Sequence, residues 1–157
     1  MIEIMKYKIE LVKENSSTYD ITNENIIHPK DMYEIIKDKF RIASLTEEIF
    51  GIVCLNTKKQ IVGIFEVSHG TLDSSLVHPR EVFKRAMLVN SACIILFHNH
   101  PSGNTEPSIE DKNMTKRIVE CGNILGIIVL DHIIAGEDNY FSFRESNPYY
   151  LIHENIA

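Results

Sequence analysis

The stretch "SACIILFHNHPSGNTEPSIED", Ser91 to Asp111, decides how this chain folds and what chemistry it can carry. Its first part, "ACIILF", is a short unbroken apolar run, the pattern of a central strand buried on both faces. A strand sends residues two apart to the same side, so His98 and His100 at its exit converge on one point. Pro101, Ser102 and Gly103 then turn the chain, and Pro107 precedes a serine that opens a helix. Asp111 falls in the first turn of that helix, where the turn brings it back over the strand end. Two imidazoles and a carboxylate with a fourth position free are what a catalytic zinc site needs, three protein donors at about 2.0–2.2 Å and room for a water.

A plainer reading fits part of the string. Ser108 and Asp111 form an S-x-x-D pattern, a capping box that requires no metal, with the acid favourably placed on the helix dipole. Histidines on loops are often mere surface residues. That reading leaves unexplained why H-x-H at a strand exit, a Pro/Gly turn, a serine and an aspartate occur together. Ser108 can also do both, since a capping serine can present its hydroxyl beside a metal.

Outward from this stretch, "HPKDMYEIIKDKF" (28–40) has Pro29 at a probable first helical position and Met32, Ile35, Ile36 and Phe40 at helical spacing. "EIFGIVCLN" (48–56) and "QIVGIFEVS" (60–68) are β-rich runs joined by "TKK", which reads as a hairpin. "HPREVFKRAMLVN" (78–90) is a second helix, and "SIEDKNMTKRIVECGNIL" (108–125) a long third one that closes near Gly122 to Gly126. "GIIVLDHIIAG" and "YFSF" around "EDN" complete another hairpin. Strands alternate with helices in the middle and hairpins flank them, so the expected class is α/β, a mixed sheet flanked by helices. Residues 1–28 read as an N-terminal extension, with a loosely alternating strand over 2–13 and a polar, turn-rich 15–25, and residues 29–157 as the domain.

The chain has 157 residues, enough for one domain, with 44% hydrophobic and 24% charged residues, so disorder is not indicated. A net charge of −6 without a Lys/Arg-rich face argues against a nucleic-acid partner. Cys54, Cys93 and Cys121 lie far apart in apolar surroundings, as buried thiols of a reducing compartment do. No apolar run approaches the roughly 18 residues of a membrane span, and the expected location is cytoplasmic.

The motif H-x-H-x7-S-x2-D, spelled by His98, His100, Ser108 and Asp111, resembles the signature of the JAMM (JAB/MPN+) metalloproteases, in particular their bacterial RadC-like branch. "GTLDSSLVHPREVFKRAM" before it and "LGIIVLDHIIAG" after it are similar to RadC segments, so the resemblance spans roughly residues 28 to 145 and concerns the catalytic domain alone. It implies a JAB/MPN, cytidine-deaminase-like three-layer fold and a zinc-dependent hydrolase that cleaves a peptide or isopeptide bond. His98, His100 and Asp111 would hold Zn2+, Ser108 would stabilise the oxyanion, and an upstream glutamate would hold the attacking water. Glu66 in "IFEVSHGT", four residues before Gly70, is the expected glutamate, ahead of Glu81 on the following helix. Asp131 and His132 are candidates to orient a ligand, although strand packing accounts for both. His28 and His78 each precede a proline and flank a helix start, and His69 has no assigned part. The alternative is a DNA repair or recombination factor, the historical label of RadC-like proteins; the acidic charge gives it little support, and "HNH" here is not the ββα nuclease motif. The expected partner is a peptide or protein substrate of unknown identity, recognised by loops around residues 68–78 and 101–107. Membrane attachment is not expected, and the oligomeric state is open, with hairpin edges available for pairing in a homodimer.

Overall fold

The computed structural model describes residues 10–14, 28–41, 45–70 and 77–151. Helix α1 (Pro29–Phe40) is followed by strands β1 (Ile49–Leu55) and β2 (Ile61–His69), helix α2 (Pro79–Leu88), strand β3 (Cys93–Asn99), helix α3 (Ile109–Leu125), strands β4 (Ile128–Ala135) and β5 (Tyr140–Ser142), a short helix α4 (Phe143–Ser146) and a 3-10 turn, Pro148–Leu151. The strands form one mixed sheet in the order β2-β1-β3-β4-β5. β1 is antiparallel to both β2 and β3, β4 to β5, and only β3 and β4 run parallel, joined by the α3 crossover. The α/β class with a helix-flanked mixed sheet is therefore what forms. The strand expected over 2–13 lies largely outside the described residues; residues 10–14 are exposed and in neither helix nor strand.

Every residue of β1 and β3 is buried, because helices cover both faces. Alternation divides their side chains between two cores. Phe50, Ile52, Cys54, Ile94 and Leu96 pack beneath α2 and α3 with Val82, Phe83, Ile118 and Phe143. Ile49, Val53, Leu55, Ile95 and Phe97 pack on the opposite face with Met32, Tyr33, Ile35 and Ile36 of α1. Each such side chain, fully buried, contributes about 1.5–3 kcal/mol relative to exposure, so the sheet is stabilised from both sides. Tyr33 also ties α1 to the β4–β5 turn, its hydroxyl within 3.2 Å of the Gly136 carbonyl and 3.0 Å of that of Glu137.

The helix starts follow their sequence signals. Pro29 and Pro79 occupy first-turn positions, and the His78 ring accepts a hydrogen bond from the Arg80 amide at 3.1 Å, so this histidine is a helix cap. α3 continues through Gly122 and ends at Gly126, whose φ of 70° is the left-handed cap that glycine adopts at low cost. Gly122 lets the last turn approach the next strand, since a β-carbon there would stand 2.5 Å from the Ile127 carbonyl oxygen.

Gly51, in the middle of β1, is the tightest point in the sheet. A β-carbon on it would collide with the Phe97 ring and lie 2.7 Å from the Phe65 carbonyl oxygen, backbone that has no room to yield. Gly51→Ala is therefore expected to destabilise the fold by about 1–3 kcal/mol, the usual cost of overpacking. A lower urea midpoint with an unchanged m-value is the result to look for; an unchanged midpoint would show that the strand relaxes freely there.

Candidate metal centre

β3 leaves the core at His98, Asn99 and His100, and the alternation of the strand sorts them. His98 lies on the face of α2 and α3, opposite Phe50, and is completely buried. Asn99 points the other way: its amide oxygen accepts from the Ile49 amide at 2.8 Å, and its amide nitrogen donates to the Glu47 carbonyl at 3.1 Å. The two bonds hold the backbone on both sides of Glu48. His100 follows on the His98 side, its Nδ1 2.6 Å from the Asn104 carbonyl. A carbonyl only accepts, so Nδ1 of His100 carries a proton and its Nε2 is the nitrogen turned to the other two residues.

Asp111 comes from the start of α3. Ser108 caps that helix, its hydroxyl oxygen accepting from the Asp111 amide at 3.0 Å, while the Asp111 Oδ2 accepts from the Ser108 amide at 2.8 Å and from the Ser108 hydroxyl at 2.6 Å. The capping box is thus present in full, and it aims the carboxylate at the histidines. His98 Nε2 lies 3.0 Å from His100 Nε2 and 3.2 Å from Asp111 Oδ1, and His100 Nε2 lies 3.4 Å from Asp111 Oδ2.

These separations fit a metal ion. Donors bound at about 2.0–2.1 Å in a tetrahedron stand about 3.3–3.4 Å apart, and the two imidazole nitrogens lie 3.0 Å from each other and 3.2 and 3.4 Å from the two different oxygens of the Asp111 carboxylate, close enough for one ion to reach all three residues. Two nitrogen lone pairs aimed at each other beside a carboxylate repel unless a cation or proton lies among them. His98, His100 and Asp111 form such a group, able to hold a metal ion through one atom each. Electrostatics agree: although burial by itself would raise the Asp111 carboxyl, the neighbouring His100 and His98 rings and the Ser108 hydroxyl hold it far below the usual carboxylate range. The bond to Asp111 raises His100 above its ordinary 6.5, against the opposing effect of burial.

Glu66 is not brought to this group. Directly opposite residues of paired strands share a face, and Glu66 pairs with Gly51, which pairs with Phe97 on the α1 side of the sheet. Its exposed carboxylate is 3.0 Å from the His69 Nδ1, and His69 in turn is 3.1 Å from Glu47, a surface cluster away from the metal group. Glu81, the second choice, is tied to Lys84, Arg80 and Arg85 on α2. The acid that the register sets on the histidine side, and that the sequence reading did not single out, is Glu48. Extending the β1–β3 register by two residues sets it opposite His100, on the His98 side, and its backbone is held by Asn99 and by the Gly70 amide, 3.0 Å from its carbonyl. Burial raises the Glu48 carboxyl, partly offset by the nearby charges of His98 and His100.

Of the two candidate orienting residues, Asp131 accepts from the His132 and Arg144 amides and the Ser142 hydroxyl, at 2.7, 3.0 and 2.7 Å, and so fastens β4 to β5 and α4. His132 does reach the site: its Nε2 lies 2.8 Å from His98 Nδ1.

A five-stranded mixed sheet between helices, with two histidines at a strand exit and an aspartate at the next helix start, defines an α/β domain built around a potential metal site. The profile of the RadC-like JAB domain family matches residues 26–148, and the chain belongs to that family. It is similar to the UPF0758 protein of Alkaliphilus oremlandii (strain OhILAs), 50% identical over 137 residues that make up 87% of this chain and 58% of that protein. The UPF0758 protein of Clostridioides difficile (strain 630) is 52% identical over 121 residues, 77% of this chain and 51% of its own length. That of Clostridium beijerinckii is 47% identical over 137 residues, 87% of this chain and 59% of its own. The chain thus spans little more than half the length of these curated relatives. Among the described residues no helix is long and apolar enough to cross a membrane.

If the three residues are ligands, the wild type is expected to be purified with metal and His98→Ala and Asp111→Ala without it, and full metal content in both variants, measured by atomic emission, would refute the site. Binding should also follow pH in a set direction. A metal must displace the His100 proton, which is held to a pH above 6.5, while Asp111 stays ionised. Affinity is therefore expected to climb as pH rises through the elevated His100 value and then level off, as read by competition with a chromophoric chelator.

Proposed function

We propose that this domain is a zinc-dependent hydrolase of the JAMM type, cleaving a peptide or isopeptide bond. The observation that carries the reading is the convergence of His98, His100 and Asp111, each offering one donor atom to a common point, with Glu48 at the register position opposite His100. Zinc held there would supply Lewis acidity, polarising the scissile carbonyl and lowering the pKa of a bound water from 15.7 to about 7. Glu48 is suited to the proton transfers. Its carboxyl is half-buried and raised, which makes it a stronger base than an exposed glutamate, and its backbone is pinned on both sides. It takes a proton from the attacking water and passes it to the leaving amine. We assign the Ser108 hydroxyl, which donates to Asp111 Oδ2 at 2.6 Å, the role of donor to the developing oxyanion, for which one such group is worth about 2.7–4 kcal/mol.

The substrate is proposed as a peptide or protein amide. A net charge of −6 is poorly suited to phosphate backbones, so the repair-factor alternative ranks second. The three cysteines are free thiols, and burial pushes Cys54 up to about 12, in keeping with a cytoplasmic, reducing setting. We take residues 29–157 as the catalytic unit.

The test is a peptide-library cleavage screen on zinc-loaded protein with and without a chelator. Glu48→Gln is expected to retain zinc and lose at least 10²-fold in kcat, whereas Glu66→Gln retains both zinc and rate. A Glu48→Gln variant of undiminished activity would move the base elsewhere, and cleavage indifferent to chelation would end the zinc reading.

A further inference from the structure

Two polar residues with no solvent exposure, next to the metal group, have no part in the mechanism above. Thr115, one turn along α3 from Asp111, and His132, on β4, are both fully buried. The Thr115 hydroxyl lies 2.6 Å from the Asp111 main-chain carbonyl and 2.6 Å from His132 Nδ1, and His132 Nε2 lies 2.8 Å from His98 Nδ1. These contacts join one candidate ligand to another through two residues that touch neither a substrate nor a metal.

The direction of every bond follows from chemistry. A carbonyl oxygen only accepts, so the single Thr115 proton goes to Asp111 and the hydroxyl has only lone pairs left for His132. His132 Nδ1 must therefore be the donor. The His132 ring is enclosed between Phe50 and the parallel Phe143 ring, without solvent, a setting that keeps an imidazole neutral. A neutral ring with its proton on Nδ1 has only a lone pair on Nε2, and so must accept from His98 Nδ1. His98 is then bare at Nε2, the atom that faces His100 Nε2 and Asp111 Oδ1.

We propose that Thr115 and His132 are positioning residues, a hydrogen-bond relay from the Asp111 carbonyl that locks His98 in its Nδ1–H tautomer and so keeps its Nε2 lone pair available to a metal. His100 gets the same tautomer from a single loop carbonyl, whereas the Nδ1 of His98, buried in the sheet, meets the His132 ring and, among the described residues, no carbonyl. The relay makes one helical turn serve twice: Asp111 provides a ligand and Thr115 sets the proton on another. The inference rests on the metal reading of His98, His100 and Asp111.

Long-range 1H–15N correlation spectra of the full, metal-free chain report which nitrogen of His98 is protonated, and chelator competition reports zinc affinity. Wild type and Thr115→Ser are expected to carry the His98 proton on Nδ1 and to bind zinc alike. Thr115→Val keeps the side-chain shape but removes the acceptor from His132, and is expected to lose the Nδ1–H signature and to bind zinc about 10–100-fold more weakly. A wild-type His98 protonated on Nε2, a Val variant with wild-type affinity, or a Ser variant as weak as the Val variant would each overturn the relay. Should Thr115→Val fail to fold, the wild-type tautomer still decides. A wild type that binds no zinc but shows the Nδ1–H tautomer would sink the metal reading while leaving the relay in place.

Discussion

A strand buried on both faces leaves the polar residues at its end no water to bond with. That constraint on β3 organises most of the site. His98 and Asn99 are both almost fully enclosed, and a buried hydrogen-bonding group left unpaired costs about 1–3 kcal/mol. Each therefore has its needs met by protein. Asn99 satisfies itself on the backbone around Glu48, and His98 on His132, which sends the demand on to Thr115 and back to α3. The rigidity that holds the donors together is a consequence of having nowhere else to put them.

Asp111 illustrates how one residue meets two requirements with the same geometry. As the third residue of α3 it accepts from the Ser108 amide and closes the capping box, a contribution of about 1 kcal/mol to a helix start. The same bonds fix the carboxylate rotamer facing the two imidazoles. A carboxylate so deeply enclosed would be costly without partners, and the two bonds from Ser108, together with the neighbouring imidazoles, provide them. Structural and chemical readings of S-x-x-D are therefore not competitors here: the cap is the means by which the ligand is aimed.

The similarity to UPF0758 proteins covers the domain described and just over half of those longer chains. Within that domain the sheet separates two tasks. Its α1 face is mostly apolar packing, with Asp131 and Asn99 satisfied within the protein, whereas its α2/α3 face carries His98 and His132, and Glu48 stands at the end where β1 begins. Segregation of this kind lets the first core be tight without constraining the chemistry on the other side.

Local pattern determined a good deal on its own. The apolar run before His98, the spacing of two between His98 and His100, the Pro/Gly turn and the Ser108 cap were enough to predict the strand, the helix start and the convergence of three donors, because each depends on residues close along the chain. Which acid arrives on the histidine side was not legible in this way. Glu48 and Glu66 are both acids near the ends of adjacent strands, and which one faces the histidines depends on the register of β1 against β3 and on the irregular pairing between Phe50 and Gly51, where one residue of offset exchanges the faces. The relay was equally illegible, since Thr115 and His132 meet His98 only when α3 has crossed over and β4 has paired with β3. Short-range periodicity is set by the backbone itself, but the side on which a distant side chain arrives is set by packing of the whole sheet.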